Sequence, residues 1–127
     1  MNKKIIATAA LLGMLAIVFG AFGAHALKKQ LSLDQLSTFE TGVKYQMYHA
    51  LFLLFIGSFD GINDKIKNTI FNLIVVGLVL FSGSIYLLAT RNITQIDFSA
   101  IGIATPVGGL FLILGWFLLI YTFLTTK

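Results

Sequence analysis

The two histidines of the chain are the side chains whose type and spacing best suit chemistry. His25 and His49 lie in separate apolar segments that a pair of antiparallel helices would place side by side. Paired histidines bind haem or a metal ion, and a histidine near a carboxylate and an ammonium group can relay protons or line a quinone pocket. The candidate polar cluster consists of His25, Glu40, Lys44, Tyr45, Gln46 and His49.

These residues also have a structural interpretation, in which they form hydrogen bonds that fix helix ends at the lipid headgroups. Two histidines with a single nearby carboxylate and no cysteine make a sparse set of metal ligands. We therefore favour the structural interpretation and expect no catalytic residue, no cofactor and no metal. Nucleophilic catalysis also lacks a basis, because cysteine is absent and no serine adjoins a histidine, so the chain is predicted not to be an enzyme.

Long uncharged segments must position the cluster. The chain has 127 residues, of which 57% are hydrophobic and 11% charged. Four stretches contain no Asp, Glu, Lys or Arg, and they cover 5–27, 45–59, 68–90 and 98–126. The few remaining charges cannot cover the surface of a soluble domain, which excludes a globular enzyme in water. The stretches lack the alternation of a membrane barrel, so they are predicted to be helices.

We predict an all-α integral membrane protein, an antiparallel four-helix bundle that forms one transmembrane domain over residues 1–127. The spans are expected at about 5–26, 39–59, 68–90 and 106–124. The second span must begin near Phe39, because its uncharged part alone is too short to cross a bilayer. Ser32 and Gln35 have the spacing of a capping box, which predicts a short interfacial helix between spans 1 and 2.

Small residues predict how the first helix packs. They recur three and four residues apart at Ala9, Gly13, Ala16, Gly20 and Ala24. This spacing lays them along one stripe, where a neighbouring helix can approach closely.

Three further patterns predict details of the later helices. Either Asn63 or Asp64 is expected to cap the third helix, and Thr105 before Pro106 is expected to cap the fourth. The hydroxyls of Ser82-Gly83-Ser84 are expected to bond to carbonyls one turn earlier. Trp116 lies midway along the last span, so its N–H should find a partner inside the bundle.

The basic residues flank apolar segments, which predicts a lipid bilayer and not nucleic acid as the surrounding partner. The N-terminal segment is expected to be retained, because its apolar run is too long for a signal peptide. One face would carry Lys3, Lys4, Lys65, Lys67 and Lys127, and the other Lys28, Lys29, Lys44 and Arg91, with Asp97 also on the second face. The larger number on the first face predicts a bacterial plasma membrane protein with both termini in the cytoplasm.

Several segments together resemble a known family. They are Gly20 to Leu27, Phe39 to Leu51, Leu80 to Ala89, Thr105 to Gly109, and Gly115-Trp116. The chain is similar over almost its whole length to the small bacterial membrane proteins of domain-of-unknown-function family 423, which have a eukaryotic relative in the transmembrane protein 256 family. The resemblance implies a four-helix inner-membrane protein and no assigned activity, substrate or cofactor.

Two classes of function remain open. The chain could be a helper or scaffold that binds other membrane components, as a homo-oligomer or with another membrane protein. The alternative is a small-solute carrier or channel acting as an oligomer. A proton-coupled carrier needs an ionisable carboxylate within the membrane, whereas Glu40 lies at the mouth of the second span. We therefore favour the helper.

Overall fold

The computed structural model describes residues 1–90, 93 and 99–125. This part of the chain forms four α-helices, which are α1 (Lys3–His25), α2 (Leu33–Ser58), α3 (Asp64–Ala89) and α4 (Ala104–Thr125). A 3-10 helix, Ser99–Ile103, precedes α4, and the described residues contain no β-strand. The all-α prediction is therefore confirmed. The predictions for Arg91, Asp97, Lys127 and the side chain of Ala24 lie outside what is described.

Helix α2 begins earlier than the predicted second span. The Ser32 hydroxyl accepts a hydrogen bond from the Gln35 N–H at 3.1 Å, and the Gln35 side chain accepts one from the Ser32 N–H at 3.0 Å, so the predicted capping box is present. From this cap, α2 runs without a break to Ser58. The predicted interfacial helix is not an element of its own but the first turns of α2, because no glycine or proline interrupts the chain before Gly42.

The sequence predicted the cap of α3 correctly but not that of α4. Asn63 caps α3, since its side chain accepts a hydrogen bond from the Ile66 N–H at 2.9 Å, as predicted. The cap predicted at Thr105 is wrong, because α4 begins at Ala104 and the 3-10 helix runs directly into it. Thr105 therefore has no free helix end to cap. Pro106 is tolerated in this first turn, where an N–H is not needed.

Helix α1 packs against α2 between Phe39 and Gly57, with opposite ends paired. The N–H of Asn2 donates to the Gly57 carbonyl at 2.8 Å, whereas Gly23 at the other end of α1 packs against Phe39. Between these points the predicted stripe of small residues faces α2. A Cβ added to Gly13, for example, would lie 3.7 Å from that of Ala50. The two helices thus run in opposite directions.

Helices α3 and α4 approach even more closely, through glycine. A Cβ on Gly108 would lie 2.7 Å from the carbonyl oxygen of Gly77 and would also collide with the backbone N–H of Phe81. A Cβ on Gly115 would lie 2.6 Å from the Ile74 side chain. The backbones of α3 and α4 are therefore in direct contact at Gly108, which leaves no space for any side chain.

The apolar core lies where the start of α1, the end of α2 and the start of α3 meet. Its side chains that are 0% exposed are Ile5, Ala9, Leu53, Ile56, Ile70 and Ile74. Leu112 of α4, 4% exposed, also belongs to this cluster. The core therefore joins all four helices.

Three helical segments of the described residues are long and apolar enough to cross a membrane, and they are Lys3–Gly23, Asp64–Ala89 and Ile101–Thr125. Helix α2, which carries Asp34, Glu40 and Lys44, is not among them. In the most apolar stretch of 18 residues in each of these segments, 17% of the residues are buried in α1, 22% in α4 and 44% in α3. The outer surface is therefore formed mainly by apolar side chains of α1 and α4.

An ion pair holds the start of α1 beside the α2–α3 turn. The N-terminal ammonium of Met1 lies 2.6 Å from Oδ1 of Asp60, and both groups are exposed. The hydrogen bond and charge of the ammonium lower the pKa of the Asp60 carboxyl. The pair is consequently present at neutral pH, and it is lost as the pH falls through this lowered pKa.

Candidate functional site

Gln46 joins three helices through its side-chain amide. It lies in the middle of α2 and is 5% exposed. Its Nε2 donates to the Leu12 carbonyl of α1 at 2.8 Å, and its Oε1 accepts from the Tyr86 hydroxyl of α3 at 2.6 Å. Because a carbonyl oxygen can only accept, the Leu12 contact fixes which end of the amide is the nitrogen. The partners of Gln46 therefore determine its orientation.

Ser82 adds a second link between α2 and α3. Its hydroxyl donates to the Gly42 carbonyl at 2.8 Å, which replaces the predicted bond to a carbonyl in its own helix. The link is possible because Gly42 has no side chain. A Cβ at that position would lie 2.7 Å from the Tyr86 ring and 3.0 Å from Ile85. The glycine thus exposes a backbone acceptor that the serine reaches.

Ser84 and Thr105 link α3 to α4. The Ser84 hydroxyl donates to the Phe81 carbonyl at 2.9 Å, as the sequence predicted, and its oxygen lies 2.5 Å from the Thr105 hydroxyl oxygen. A serine hydroxyl has one hydrogen, which the Phe81 carbonyl already receives. Thr105 is therefore the donor in the contact between the two hydroxyls.

His49 links α2 to α4. Its Nδ1 lies 2.7 Å from the Tyr45 carbonyl, and its Nε2 lies 3.0 Å from Nε1 of Trp116. The carbonyl can only accept and the indole N–H can only donate, so Nδ1 carries the proton and Nε2 accepts. Both nitrogens of a neutral imidazole are thus used. The prediction that the Trp116 N–H finds a partner inside the protein is confirmed.

Replacing His49 by Phe should release the Trp116 indole N–H. Because Trp116 is the only tryptophan, a 1H–15N spectrum in detergent micelles contains a single indole cross-peak, which we expect to move upfield. His49→Gln supplies an oxygen acceptor and should retain most of the downfield position, and Tyr48→Phe on the exposed side of α2 should leave the peak unchanged. We expect His49→Phe to lower the free energy of unfolding by about 1 kcal/mol. An unmoved indole peak in His49→Phe would contradict the bond.

The six residues of the predicted cluster fall into two groups. His25, Glu40 and Lys44 are exposed, and Tyr45 is 39% exposed. Gln46 and His49 are buried, at 5% and 4%. Tyr45 joins the two groups, because its carbonyl bonds to Nδ1 of His49 and its ring stacks on the His49 ring with 6.4 Å between the centroids.

The structure does not bring the two histidines together, so that expectation is wrong. His25 lies two residues beyond Gly23, which packs against Phe39. His49 is ten residues further along α2, a rise of about 15 Å. Because α1 and α2 run in opposite directions, the residue of α1 at the same level as His49 is Gly13, not His25. Among the described residues, no three His, Asp or Glu side chains lie together as a metal site would require.

A groove with a volume of about 250 Å³ opens between α1 and α3, beside Gln46. Its apolar lining includes Leu12, Leu15, Phe19, Leu78, Val79 and Gly83, and its polar lining includes Thr8, Gln46, Ser82 and Tyr86. The polar side chains that join the helices thus also face this opening.

Long apolar helices with exposed hydrophobic faces, joined by buried hydrogen bonds, define an α-helical integral membrane protein. The family comparison agrees with this class. The chain belongs to the family described as protein of unknown function DUF423, whose sequence profile matches residues 19–109.

Relatives extend the match over most of the chain. The UPF0382 membrane protein SSP2132 of Staphylococcus saprophyticus is 45% identical over 93% of this chain and 94% of its own length. The UPF0382 membrane protein YwdK of Bacillus subtilis is 40% identical over 93% of this chain and 94% of its own. No solved structure matches the chain.

Proposed function

We propose that this protein is a non-catalytic helper or scaffold that binds other membrane components. The observation that supports this proposal is the contrast between the buried and the exposed side chains. Inside, Gln46, Ser82 and His49 form hydrogen bonds between helices. Outside, α1 and α4 present broad apolar faces, with Ile17 65% and Phe117 61% exposed. A surface of this kind suits lateral contacts with lipid and with membrane proteins.

In this proposal the four helices form an antiparallel bundle that crosses the membrane four times. The opposite directions of α1 and α2 support the arrangement, as do the contacts between α3 and α4. Helix α2 crosses despite its lower apolarity, because polar residues such as Gln46 and His49 face other helices rather than lipid. Its first turns, where Leu33 is 85% exposed, lie at the interface.

The same arrangement gives an orientation in the bacterial plasma membrane. The described lysines near the α1 start and the α2–α3 turn are Lys3, Lys4, Lys65 and Lys67, and those at the other end are Lys28, Lys29 and Lys44. The larger number favours the first end, with both termini, on the cytoplasmic side.

Photo-cross-linking in the native bacterium tests the helper function. A photoreactive phenylalanine analogue at Phe117, on the exposed face of α4, should give a discrete protein adduct in the membrane fraction. The same analogue at Phe52, which is 6% exposed, is the matched control and should give none. Adducts to lipid alone at Phe117, Phe22 and Ile17, together with solute flux in proteoliposomes that Glu40→Gln abolishes, would favour the carrier instead.

A further inference from the structure

The groove between α1 and α3 is long and is lined mainly by apolar side chains. It extends from Thr8 to Phe19 on α1 and from Val75 to Tyr86 on α3, which at 1.5 Å per residue is about 16 Å on either wall. Its volume is about 250 Å³. A long opening of this size with mainly apolar walls suits a slender, mostly apolar molecule.

The same dimensions exclude a protein segment as the occupant. An α-helix with its side chains is about 10 Å across, so a segment about 16 Å long occupies roughly 1,200 Å³, several times the volume of the groove. The opening also lies between two long apolar helices, so in the proposed membrane arrangement only molecules dissolved in the bilayer reach it. The occupant is thus a lipid-soluble molecule.

Gln46 provides a hydrogen-bond donor for such a molecule. Its Nε2 carries two hydrogens, and one goes to the Leu12 carbonyl. No described residue accepts the second, although the side chain is only 5% exposed and lines the groove. A buried N–H without an acceptor costs about 1–3 kcal/mol, so an acceptor supplied by the occupant is favourable.

The depth of Gln46 restricts the type of acceptor. It lies 13 residues after the start of α2 and 12 before its end, about 19 Å and 18 Å from the two ends. Because the helix exceeds the hydrocarbon layer of about 30 Å by about 9 Å, Gln46 lies at least about 9 Å below either membrane surface. A phosphate or carboxylate headgroup would have to leave the aqueous interface to reach this level, at a large cost in hydration. The acceptor is therefore neutral, and a carbonyl oxygen on an otherwise apolar molecule meets the requirement.

We propose that the groove binds a neutral lipid of the isoprenoid quinone class, with one quinone carbonyl accepting a hydrogen bond from Gln46 Nε2 and the hydrocarbon tail lying between Leu15 and Val79. The proposal rests on the membrane placement proposed above but not on the helper function. It concerns binding alone, and no electron transfer is involved. Ser82 and Tyr86 keep their bonds to Gly42 and Gln46, so the bound molecule leaves the links between helices intact.

Two probes separate a quinone site from a hydrocarbon slot. A benzoquinone with a decyl tail carries the carbonyl acceptors, and decylbenzene has the same shape without them. Native mass spectrometry of the protein in mild detergent gives both affinities. We expect the quinone to bind about tenfold more tightly, which corresponds to one hydrogen bond of about 1.4 kcal/mol. Gln46→Met, which removes the donor, should reduce this ratio to about one.

Glycine positions offer a matched pair of variants to locate the site. A Cβ added at Gly83 meets nothing within 4 Å, and the residue lies at the edge of the groove, so Gly83→Leu adds a large side chain at this edge without collision. A Cβ at Gly102 also meets nothing within 4 Å, but Gly102 lies outside the groove lining. We expect Gly83→Leu to weaken quinone binding at least tenfold and Gly102→Leu to leave it unchanged, with both variants retaining the thermal unfolding midpoint of the original protein.

Each contrary result overturns a distinct part of the proposal. Equal affinities for the two probes in the unsubstituted protein would show that no carbonyl is recognised. Unchanged quinone binding in a folded Gly83→Leu variant would show that the groove is not the site. Neither result bears on the cross-linking at Phe117, so failure of the quinone proposal and failure of the helper function are distinguishable.

Discussion

Gly108→Ala is expected to lower the free energy of unfolding by about 3 kcal/mol, at the upper end of what overpacking costs. The added methyl group would lie 2.7 Å from the Gly77 carbonyl oxygen and against the backbone of Phe81. A backbone atom inside a helix cannot turn aside as a side chain does, so α4 must move away from α3. Titration of the protein in mixed micelles with sodium dodecyl sulfate, followed by circular dichroism, measures the change.

Gly83→Ala is the matched control for this experiment. It places the same methyl group in α3 where nothing lies within 4 Å, and alanine is the better helix former by about 1 kcal/mol. We expect it to be neutral or slightly stabilising. If Gly108→Ala and Gly83→Ala behaved alike, the direct backbone contact between α3 and α4 would be refuted.

Gln46→Leu is expected to have the second largest effect, a loss of about 2 kcal/mol in the free energy of unfolding. The variant removes the acceptor of the buried Tyr86 hydroxyl and the donor to the Leu12 carbonyl. Tyr86→Phe alone removes only one side of one bond and should cost about 1 kcal/mol. Unfolding in the same mixed micelles gives both values.

The double variant Gln46→Leu/Tyr86→Phe measures their coupling. Once Gln46 has lost its amide, replacing Tyr86 by Phe no longer breaks the bond between the two side chains. It instead removes a buried hydroxyl that has lost its acceptor, which is favourable. We expect the double variant to be about 1 kcal/mol more stable than the two separate losses predict, within the range found for hydrogen bonds between membrane helices. Strictly additive losses would mean that the two side chains do not bond. Tyr48→Phe, at an exposed position, should change nothing.

The fold class and two of the helix starts could be predicted because their signals are local. Long uncharged runs indicate helices in lipid, and the side chains of Ser32 and Asn63 cap residues only three positions away. The separate interfacial helix predicted before the second span is instead the start of α2. Ser37 also has capping-box spacing, with Glu40, but the helix starts at Ser32 and runs through Ser37, because no glycine or proline interrupts the chain before Gly42.

The arrangement of the site could not be predicted, because it depends on how neighbouring helices are rotated and shifted against each other. The sequence indicated that Trp116 needs a partner, but not that His49 is that partner, since 67 residues separate them. It also placed His25 and His49 together by counting helix ends. The close packing of Gly13 and Gly23 on α2 sets a different register.

One signal for the buried group was present in the sequence. Gln46 and His49 lie three residues apart within the uncharged segment 45–59, whereas Glu40 and Lys44 lie outside it. Polar residues inside an apolar helix face its neighbours because lipid offers no hydrogen bonds. This reasoning separates the buried pair from the exposed pair, which our sequence-based cluster combined.

The uninterrupted course of α2 has a structural consequence. Its 26 residues extend about 39 Å, so in the proposed membrane arrangement the rod is longer than the hydrocarbon layer of about 30 Å and one end stands in water. The exposed turns around Leu33 therefore belong to the same unbroken helix that bonds to the other three helices through Gln46 and His49. A molecule that binds these turns from the water would thus contact the one element that carries the buried links between helices.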